Sequence, residues 1–412
     1  METLIRRCAG LDVHKASVVA CVRVIDENGE LLLVTQSFGT TTGDLLKLND
    51  WLMSYEVTVV GMESTGVYWK PVYTLLDTEF ECWLLNAQHL RNVPGRKTDV
   101  ADAAWIAQLV AHGLVRASFV PPPKIRELRE VTRYRKALIQ ERSREAQRLH
   151  KTLEGSGIKL ANVATDILGV SARAMLQALM TGTHDPDILA ELARASLRKK
   201  IPALRKALSG WFSPTHRVVV GELLAHLEFL DESIGRLSDD VTAMIAPFVQ
   251  AIDLLDTIPG VNRRTAEVVL AEIGPDMSQF SSPGRLASWA GLCPGNNESA
   301  GKHFSGKTRK GSKWLRMALV ESAQAAARTK NTYLAAQYAR IKGRHGHRKA
   351  IIAVAHSILV IAYHLLERRQ PYNELGGDYF IERQQKGAYQ RRLVKQLERM
   401  GYGVTLEVKP AA

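Results

Sequence analysis

Asp99 and Asp102, in the stretch KTDVADAAWIAQLV, stand three residues apart in a segment with helical apolar spacing. Residues three apart on a helix are neighbours, so two like charges there repel unless a cation lies between them. Directly before them runs HLRNVPGRK, in which Arg96 and Lys97 supply positive charge. The pair therefore points to a metal ion or to a very basic partner. Two further acids end strand-like segments: Asp12 closes CAGLD and Glu63 closes VTVVGME. Two strand ends and a helix start can converge on one edge of a sheet. Hard cations such as magnesium take oxygen ligands, and two ions between carboxylates can stabilise the attacking and leaving oxygens of a phosphoryl transfer. Each acid taken singly reads as a turn or helix cap. The ordered set, on a chain that alternates strand and helix, favours the metal.

The elements that must position these acids are read from the first hundred residues. CAGLDV predicts a strand ending near Asp12. SVVACVRVID and ELLLVTQSF flank DENG, whose Asn28-Gly29 pair signals a hairpin. A helix is predicted near DLLKLNDWLMSY, a strand at VTVVGME, a helix over STGVYWKPVYTLL and a strand at FECWLLN. This is a mixed sheet covered by helices, an α/β domain over residues 1–120. PPPK at 121–124 marks its end. A helical region over 121–245 follows, opened by one long helix with Ile125, Leu128, Val131, Leu138, Leu149 and Leu153 on a single stripe. That helix is either a coiled-coil or dimer arm or a helix packed on its own domain. A mainly α-helical third unit is expected over 246–412. Within it IDLLDTIPGVNRRTAEVVLAEIG reads as a helix–hairpin–helix, whose tight turn can offer backbone N–H groups to a phosphate beside Arg263 and Arg264. A plain helical hairpin is the simpler alternative.

Composition sets the class of partner. The 412 residues carry a formal charge of +13 and a pI near 9.6, which points to a polyanion, most plausibly nucleic acid. METLIRRCAGLDV lacks the apolar core of a signal peptide, and no run is expected to reach transmembrane length, so a cytoplasmic protein without a membrane partner is expected. Cys8, Cys21, Cys82 and Cys293 form no CxxC pair, which argues against a zinc site or a disulfide framework and predicts reduced core thiols. His356 and His364 have no acidic or Cys partner at ligand spacing and are read as core or edge residues. His345 and His347, among Arg344, Arg348 and Lys349, read as phosphate-backbone contacts.

GLDVHK, GMESTGVYWKPVY and KTDVADAAWIAQL, in that order, resemble the DEDD-type insertion-sequence transposases, the IS-one-ten family. IPGVNRRTAEVVLAEIG and RLASWAGLCPGNNESAGKHFSGKTRKGSKWLRMALVESA resemble the family's C-terminal transposase domain. The resemblance covers both ends of the chain, while the helical middle carries little motif information. It implies a RuvC-like, RNase-H-like N-terminal domain with Asp12, Glu63, Asp99 and Asp102 as the acids that hold Mg2+, or Mn2+ in its place. It also implies a serine nucleophile after GLCP. Ser299 is preferred on its spacing from Gly291-Leu292, with Ser305 as the competitor. Lys302, Lys307, Arg309, Lys310, Lys313 and Arg316 follow, with no acid before Glu321. A serine attacking a DNA phosphodiester needs such positive charge to hold the phosphate and stabilise the transition state. A basic loop that only grips phosphate is the blander alternative. The resemblance further implies a noncoding bridge RNA pairing with donor and target double-stranded DNA. It also implies a homo-tetramer, a dimer of dimers, acting at the bacterial nucleoid. Three rivals stand beside this reading: a RuvC-like junction nuclease using metal-activated water, a non-catalytic nucleic-acid-binding protein, and a sugar-kinase-like ATPase. The missing Gly-rich phosphate signatures count against the last.

The basic segment makes a testable demand. Nucleic-acid affinity falls steeply with salt where lysine and arginine displace counterions from phosphate. Replacing Lys307, Arg309 and Lys310 together by Ala is expected to flatten the slope of log affinity against log salt, measured by anisotropy. An unchanged slope places the phosphate contacts elsewhere.

Overall fold

The computed structural model describes residues 3–64, 66–87, 90, 102–294, 297–299, 302–305, 307–308, 310–383 and 386–406. Two units, Met1–Val120 and Pro121–Ala412, make up the chain. The first is built on strands β1 (Arg7–Val13), β2 (Ser17–Ile25), β3 (Leu31–Gly39), β4 (Val59–Glu63) and β5 (Glu81–Leu85). Its helices are α1 (Thr42–Ser54), α2 (Trp69–Leu76) and α3 (Asp102–Ala111). The sheet order is β3-β2-β1-β4-β5, antiparallel through β1, β2 and β3 and parallel from β1 to β4 to β5. The β2–β3 connection runs over Asp26–Glu30, where Gly29 takes a φ of 84° and the Asp26 carboxylate accepts from the Glu30 N–H at 2.8 Å.

Strand side chains alternate between the two faces of a sheet. Ala9, Leu11 and Val13 of β1 and Val60 and Met62 of β4 point one way, into a core completed by Leu48 and Leu52 of α1 and Val72 and Leu76 of α2. Cys8, Val59 and Leu85 point the other way and pack with Ile106, Leu109 and Val110 of α3. Gly10 lies on this second face because α3 leaves no room for a side chain there. A methyl group at Gly10 would overlap the Ala103 carbonyl oxygen and the Ala107 amide nitrogen. One at Gly61 would come within 2.6 Å of Val110 Cγ2. The Cys8 thiol donates to the Ala107 carbonyl at 3.5 Å, and burial pushes its pKa up to about 12. The Leu4 and Ile5 N–H groups donate to the Ala111 carbonyl at the end of α3, while Gly10 meets Ala103 near its start, so α3 runs antiparallel to β1. Its first residue, Asp102, comes to the C-terminal end of that strand. Cys21 is also a buried thiol, but Cys82 and Cys293 are only half-buried, so the expectation of four core cysteines holds for two.

The second unit is helical. Its elements are α4 (Pro123–Gly155), α5 (Val170–Met180), α6 (Pro186–Glu191), α7 (Ile201–Leu208), α8 (Pro214–Met244), α9 (Val249–Asp256), α10 (Arg263–Ile273) and α11 (Pro283–Trp289). A short hairpin, β6 (Asn297–Ser299) with β7 (Lys302–Ser305), precedes α12 (Lys313–Ala326), α13 (Tyr333–Arg368), α14 (Tyr379–Arg383) and α15 (Lys386–Arg399). Helices α4 and α8 lie antiparallel, with Leu138 against Leu230 and Ile234, and His226 beside Glu145. The α4 stripe departs from its expected membership. Val131 is half-buried while Thr132, Arg135 and Glu145 are buried within the stripe, each charge facing an opposite one. Between α9 and α10 the Pro259-Gly260 turn packs on α12: Gly260 has φ 85°, and any side chain there would overlap the backbone of Ser322 and Ala326. The basic run before the apolar helix appears as a break at Gly346 (φ 80°, ψ 170°) inside α13. By length and composition α13 is long and apolar enough to cross a membrane, which corrects the expectation that no run reaches that length. More than half of its apolar window, 56%, is buried within the protein.

The α3–β1 contact predicts its own failure mode. Gly10→Ala forces backbone apart and is expected to cost about 1–3 kcal/mol in urea unfolding, the range of an overpacked core. Gly43→Ala, at an open site in the first turn of α1, is expected to be neutral or stabilising. Equal stability of the two variants would contradict the close approach.

Candidate metal edge and serine hairpin

Register brings two of the expected acids together. The parallel pairing of β1 with β4 ends at Leu11↔Met62, so Asp12 and Glu63 are the next residues on adjacent strands. Adjacent strands lie about 4.8 Å apart. By alternation Asp12 shares a face with Cys8 and Gly10, and Glu63 shares it with Val59 and Gly61. That is the face covered by α3, whose N-terminal residue Asp102 arrives at the same end of β1. Three of the four expected acids therefore stand at one corner of the sheet. Asp99, Arg96 and Lys97 lie outside the described residues.

The donor chemistry at this corner suits a hard divalent ion: carboxylate oxygens on a partly exposed edge, with the Asp12 side chain 24% exposed. Among the described residues no three His, Cys, Asp or Glu side chains are gathered closely enough to form a finished ligand set. The structure does show one neighbour that reading the acids alone misses. His14 Nε2 lies 3.0 Å from Asp12 Oδ2. The signal was present in GLDVHK, since a residue two beyond Asp12 returns to the same side of an extended chain.

Ser299 and Ser305 belong to the β6–β7 hairpin of the second unit. Ser299 pairs with Lys302 next to the turn, and Ser305 pairs with Asn297 at the opposite end. Below the hairpin the chain is pinned. Pro294 bridges Thr308, and the Arg316 guanidinium donates to the Gly291 carbonyl at 3.0 Å and to the Thr308 hydroxyl. Gly311 lies against the backbone of Ala290 and Gly291, where a side chain would overlap. Ser312 caps α12 and donates to Glu272 Oε2 at 2.9 Å.

Glu272 is 1% exposed at its side chain and accepts a two-pronged pair from Arg133 at 2.7 and 2.8 Å. Arg129 donates to the Ala271 and Glu272 carbonyls, and its burial pulls the guanidinium pKa down to about 10. A second buried pair, Arg135 with Glu267 at 2.6 Å, lies on the same two helices. Buried charges of this kind are tolerated because each is paired and hydrogen-bonded.

The other basic residues differ in exposure and in their contacts. Lys307, Lys310 and Lys313 are exposed, with Lys313 Nζ 4.8 Å from the Trp314 ring centre. Lys302 lies in β7, and Arg309 is outside the described residues. Arg263 is 51% exposed and faces Asp253 and Glu267 at 3.8 and 3.9 Å; Arg264 is exposed. Arg316 is turned into the hairpin base. Of the histidines, His347 contacts the Tyr338 hydroxyl at 2.8 Å, and burial lowers the His356 pKa. His364 does have an acidic partner one turn on, Glu367 at 3.1 Å, which corrects the reading that none lies at ligand spacing.

Comparison with known proteins follows this division into two sites. A DEDD-type IS110 transposase model matches residues 9–158, the segment that carries the acidic corner. A second, described as Transposase IS116/IS110/IS902 family, matches residues 252–339, the segment that carries the hairpin. Both are models of transposase families. Together they span more than half of the chain, and the protein belongs to this IS110-type family of insertion-sequence transposases. It is 29% identical over 164 residues to the pilin gene-inverting protein of Moraxella bovis, covering 35% of this chain and 49% of that one. Over 154 residues it is 30% identical to an insertion element IS110 uncharacterized 43.6 kDa protein of Streptomyces coelicolor, covering 36% of each. The chain thus spans about half or less of the length of these relatives.

The pinned hairpin base can be checked directly. Arg316→Ala is expected to raise the rate of Glu-C cleavage after Glu298 several-fold under native conditions, because local opening governs proteolysis. Lys310→Ala, at an exposed position, is expected to leave it unchanged. Equal rates in the wild type and Arg316→Ala would contradict a clamping role.

Proposed function

We propose that this protein is a recombinase that moves its insertion sequence by serine attack on DNA phosphodiesters, assisted by a divalent ion at the acidic corner. The observation that carries the reading is the register that sets Asp12 beside Glu63, with Asp102 brought to the same corner by α3. Strand order and helix cover agree with an RNase-H-like domain. Asp12, Glu63 and Asp102, joined by Asp99, would hold Mg2+ or Mn2+. Such an ion, when bound, neutralises charge on the transferring phosphate and lowers the pKa of an attacking hydroxyl.

The chain's own residues do the rest. The pinned base holds the hairpin that carries Ser299, while Lys307, Arg309 and Lys310 hold the flanking phosphates. The Ser299 hydroxyl loses its proton and attacks phosphorus, forming a Ser–O–P bond. One P–O bond of the backbone breaks, and the departing sugar oxygen takes a proton to become a free hydroxyl. A sugar hydroxyl of another strand then attacks the phosphoserine, restores a DNA phosphodiester and releases the serine. This exchange conserves the phosphodiester bond, so no nucleotide cofactor is required. The family resemblance supports a noncoding bridge RNA that pairs with donor and target DNA. It also supports a tetramer in which the acids of one subunit serve the serine of another, and action on the bacterial nucleoid.

A suicide-DNA trapping experiment with mass-spectrometric mapping tests the chemistry. Ser299→Ala is expected to abolish the covalent adduct while DNA binding persists, and Ser305→Ala to keep a measurable adduct. Asp12→Ala, Glu63→Ala, Asp99→Ala and Asp102→Ala are each expected to abolish recombination without unfolding the chain. An adduct on Ser305 would relocate the nucleophile. Efficient cleavage with no protein–DNA adduct would establish the water-using nuclease instead.

A further inference from the structure

A cavity of about 220 Å3 lies in the second unit between α4, the start of α10 and α12, and nothing in the chemistry above uses it. Ile139, Val268 and Ala318 give it apolar walls, and Trp314 adds an aromatic ring. Its polar lining includes Lys136, Glu321, Thr265 and Arg264. Lys136 Nζ donates to both Glu321 oxygens at 2.9 and 2.8 Å, so a donor and an acceptor stand side by side on the wall. Asn262 also lines the cavity and caps α10 by accepting from the Thr265 N–H at 2.9 Å. The cavity therefore sits at the positive end of that helix. Arg133 and Arg135, on its α4 side, are neutralised by Glu272 and Glu267. Arg264 is exposed and makes no ion pair among the described residues, which leaves one uncompensated cation at the cavity.

We propose that this cavity receives a single unpaired nucleobase from a bound strand, with the adjoining phosphate on Arg264 and the first turn of α10. The volume is below the several hundred Å3 of pockets that enclose drug-sized ligands, and suits one flat ring system rather than a whole nucleotide. Aromatic and aliphatic walls supply stacking and contact, and the Lys136–Glu321 pair offers both polarities to the hydrogen-bonding edge of a base. A base within a duplex is already stacked and paired, so the occupant comes from a loop, a bulge or a displaced strand. An anion alone would satisfy Arg264 but leave the Trp314 side without a role. The inference rests on the reading of this chain as a nucleic-acid-processing protein.

The test uses the full chain and fluorescence anisotropy with single-stranded RNA, single-stranded DNA of the same sequence, a blunt DNA duplex, and single strands carrying abasic residues. Trp314→Leu is expected to weaken single-strand binding roughly tenfold, the scale of one base–aromatic stack. Duplex binding is expected to stay unchanged. Base removal is expected to weaken wild-type binding similarly and to cost the Trp314→Leu variant little more. Trp314→Phe is expected to restore most of the loss. Arg264→Gln, at an exposed position, keeps the fold and is expected to weaken both base-bearing and abasic strands. Loss in the RNA arm, the DNA arm or both supports the cavity and tells which strand fills it. Equal loss of duplex and single-strand binding in Trp314→Leu would overturn the proposal, as would full sensitivity of that variant to base removal. A wild-type chain that binds the duplex yet shows no effect of base removal would refute the cavity alone. One that binds no nucleic acid at all would refute the underlying reading as well.

Discussion

Backbone contact between α3 and β1 at Gly10 is the constraint on which the acidic corner depends. A helix normally meets a sheet through side chains on both; at Gly10 the sheet contributes none. The Ala103 carbonyl and Ala107 amide occupy the volume a side chain at Gly10 would take, and Gly61 on the next strand admits Val110 in the same way. With the helix held this low, the start of α3 lies against Gly10, two residues before Asp12. The direction of the helix follows from its two ends, since Leu4 and Ile5 meet Ala111 while Gly10 meets Ala103. A side chain at residue 10 would lift α3 and carry Asp102 away from Asp12 and Glu63 without touching any acid.

The second unit solves a comparable problem with charge instead of close packing. Its basic, Gly-containing segment has few apolar residues with which to anchor itself. The anchorage comes from Glu272, which is buried on α10, accepts from Arg133 of α4 and takes the hydroxyl of Ser312 where the segment enters α12. Arg316 then ties the two stems of the hairpin together. Removing one partner of a buried pair typically costs about 3–5 kcal/mol, so the loss of Glu272 would reach both the helix packing and the hairpin base. The positive charge near the serines thus has two functions: exposed Lys307 and Lys310 face outward, while Arg129, Arg133 and Arg316 hold the scaffold.

Much of the first unit was legible in the sequence because its signals are local. Period-two alternation, the Asn28-Gly29 turn and short apolar runs ending in Asp12 and Glu63 give strands and their ends directly. What alternation cannot give is pairing order, since β1 lies between β2 and β4 through contacts distant along the chain. The place of His14 beside Asp12 follows from spacing alone, two residues along an extended strand. In the second unit the legible part was the apolar stripe of α4, and the illegible part was its buried charge. Arg135 and Glu145 look solvated on a helix read alone; only partners on other turns and other helices show why they are buried. Composition cannot distinguish an arginine that faces phosphate from one, like Arg316, that faces the hairpin base.

In the proposed mechanism Asp12, Glu63 and Asp102 act as one oxygen-donor site. Titrating the full-length protein with Mn2+ while following the free-ion electron paramagnetic resonance signal measures this without reference to recombination. A saturable site is expected in the wild type, and Asp12→Asn and Asp102→Asn are each expected to weaken it by about tenfold or more, the scale of losing a carboxylate ligand or its close partner. Saturable binding of equal strength in the wild type and both variants would contradict it.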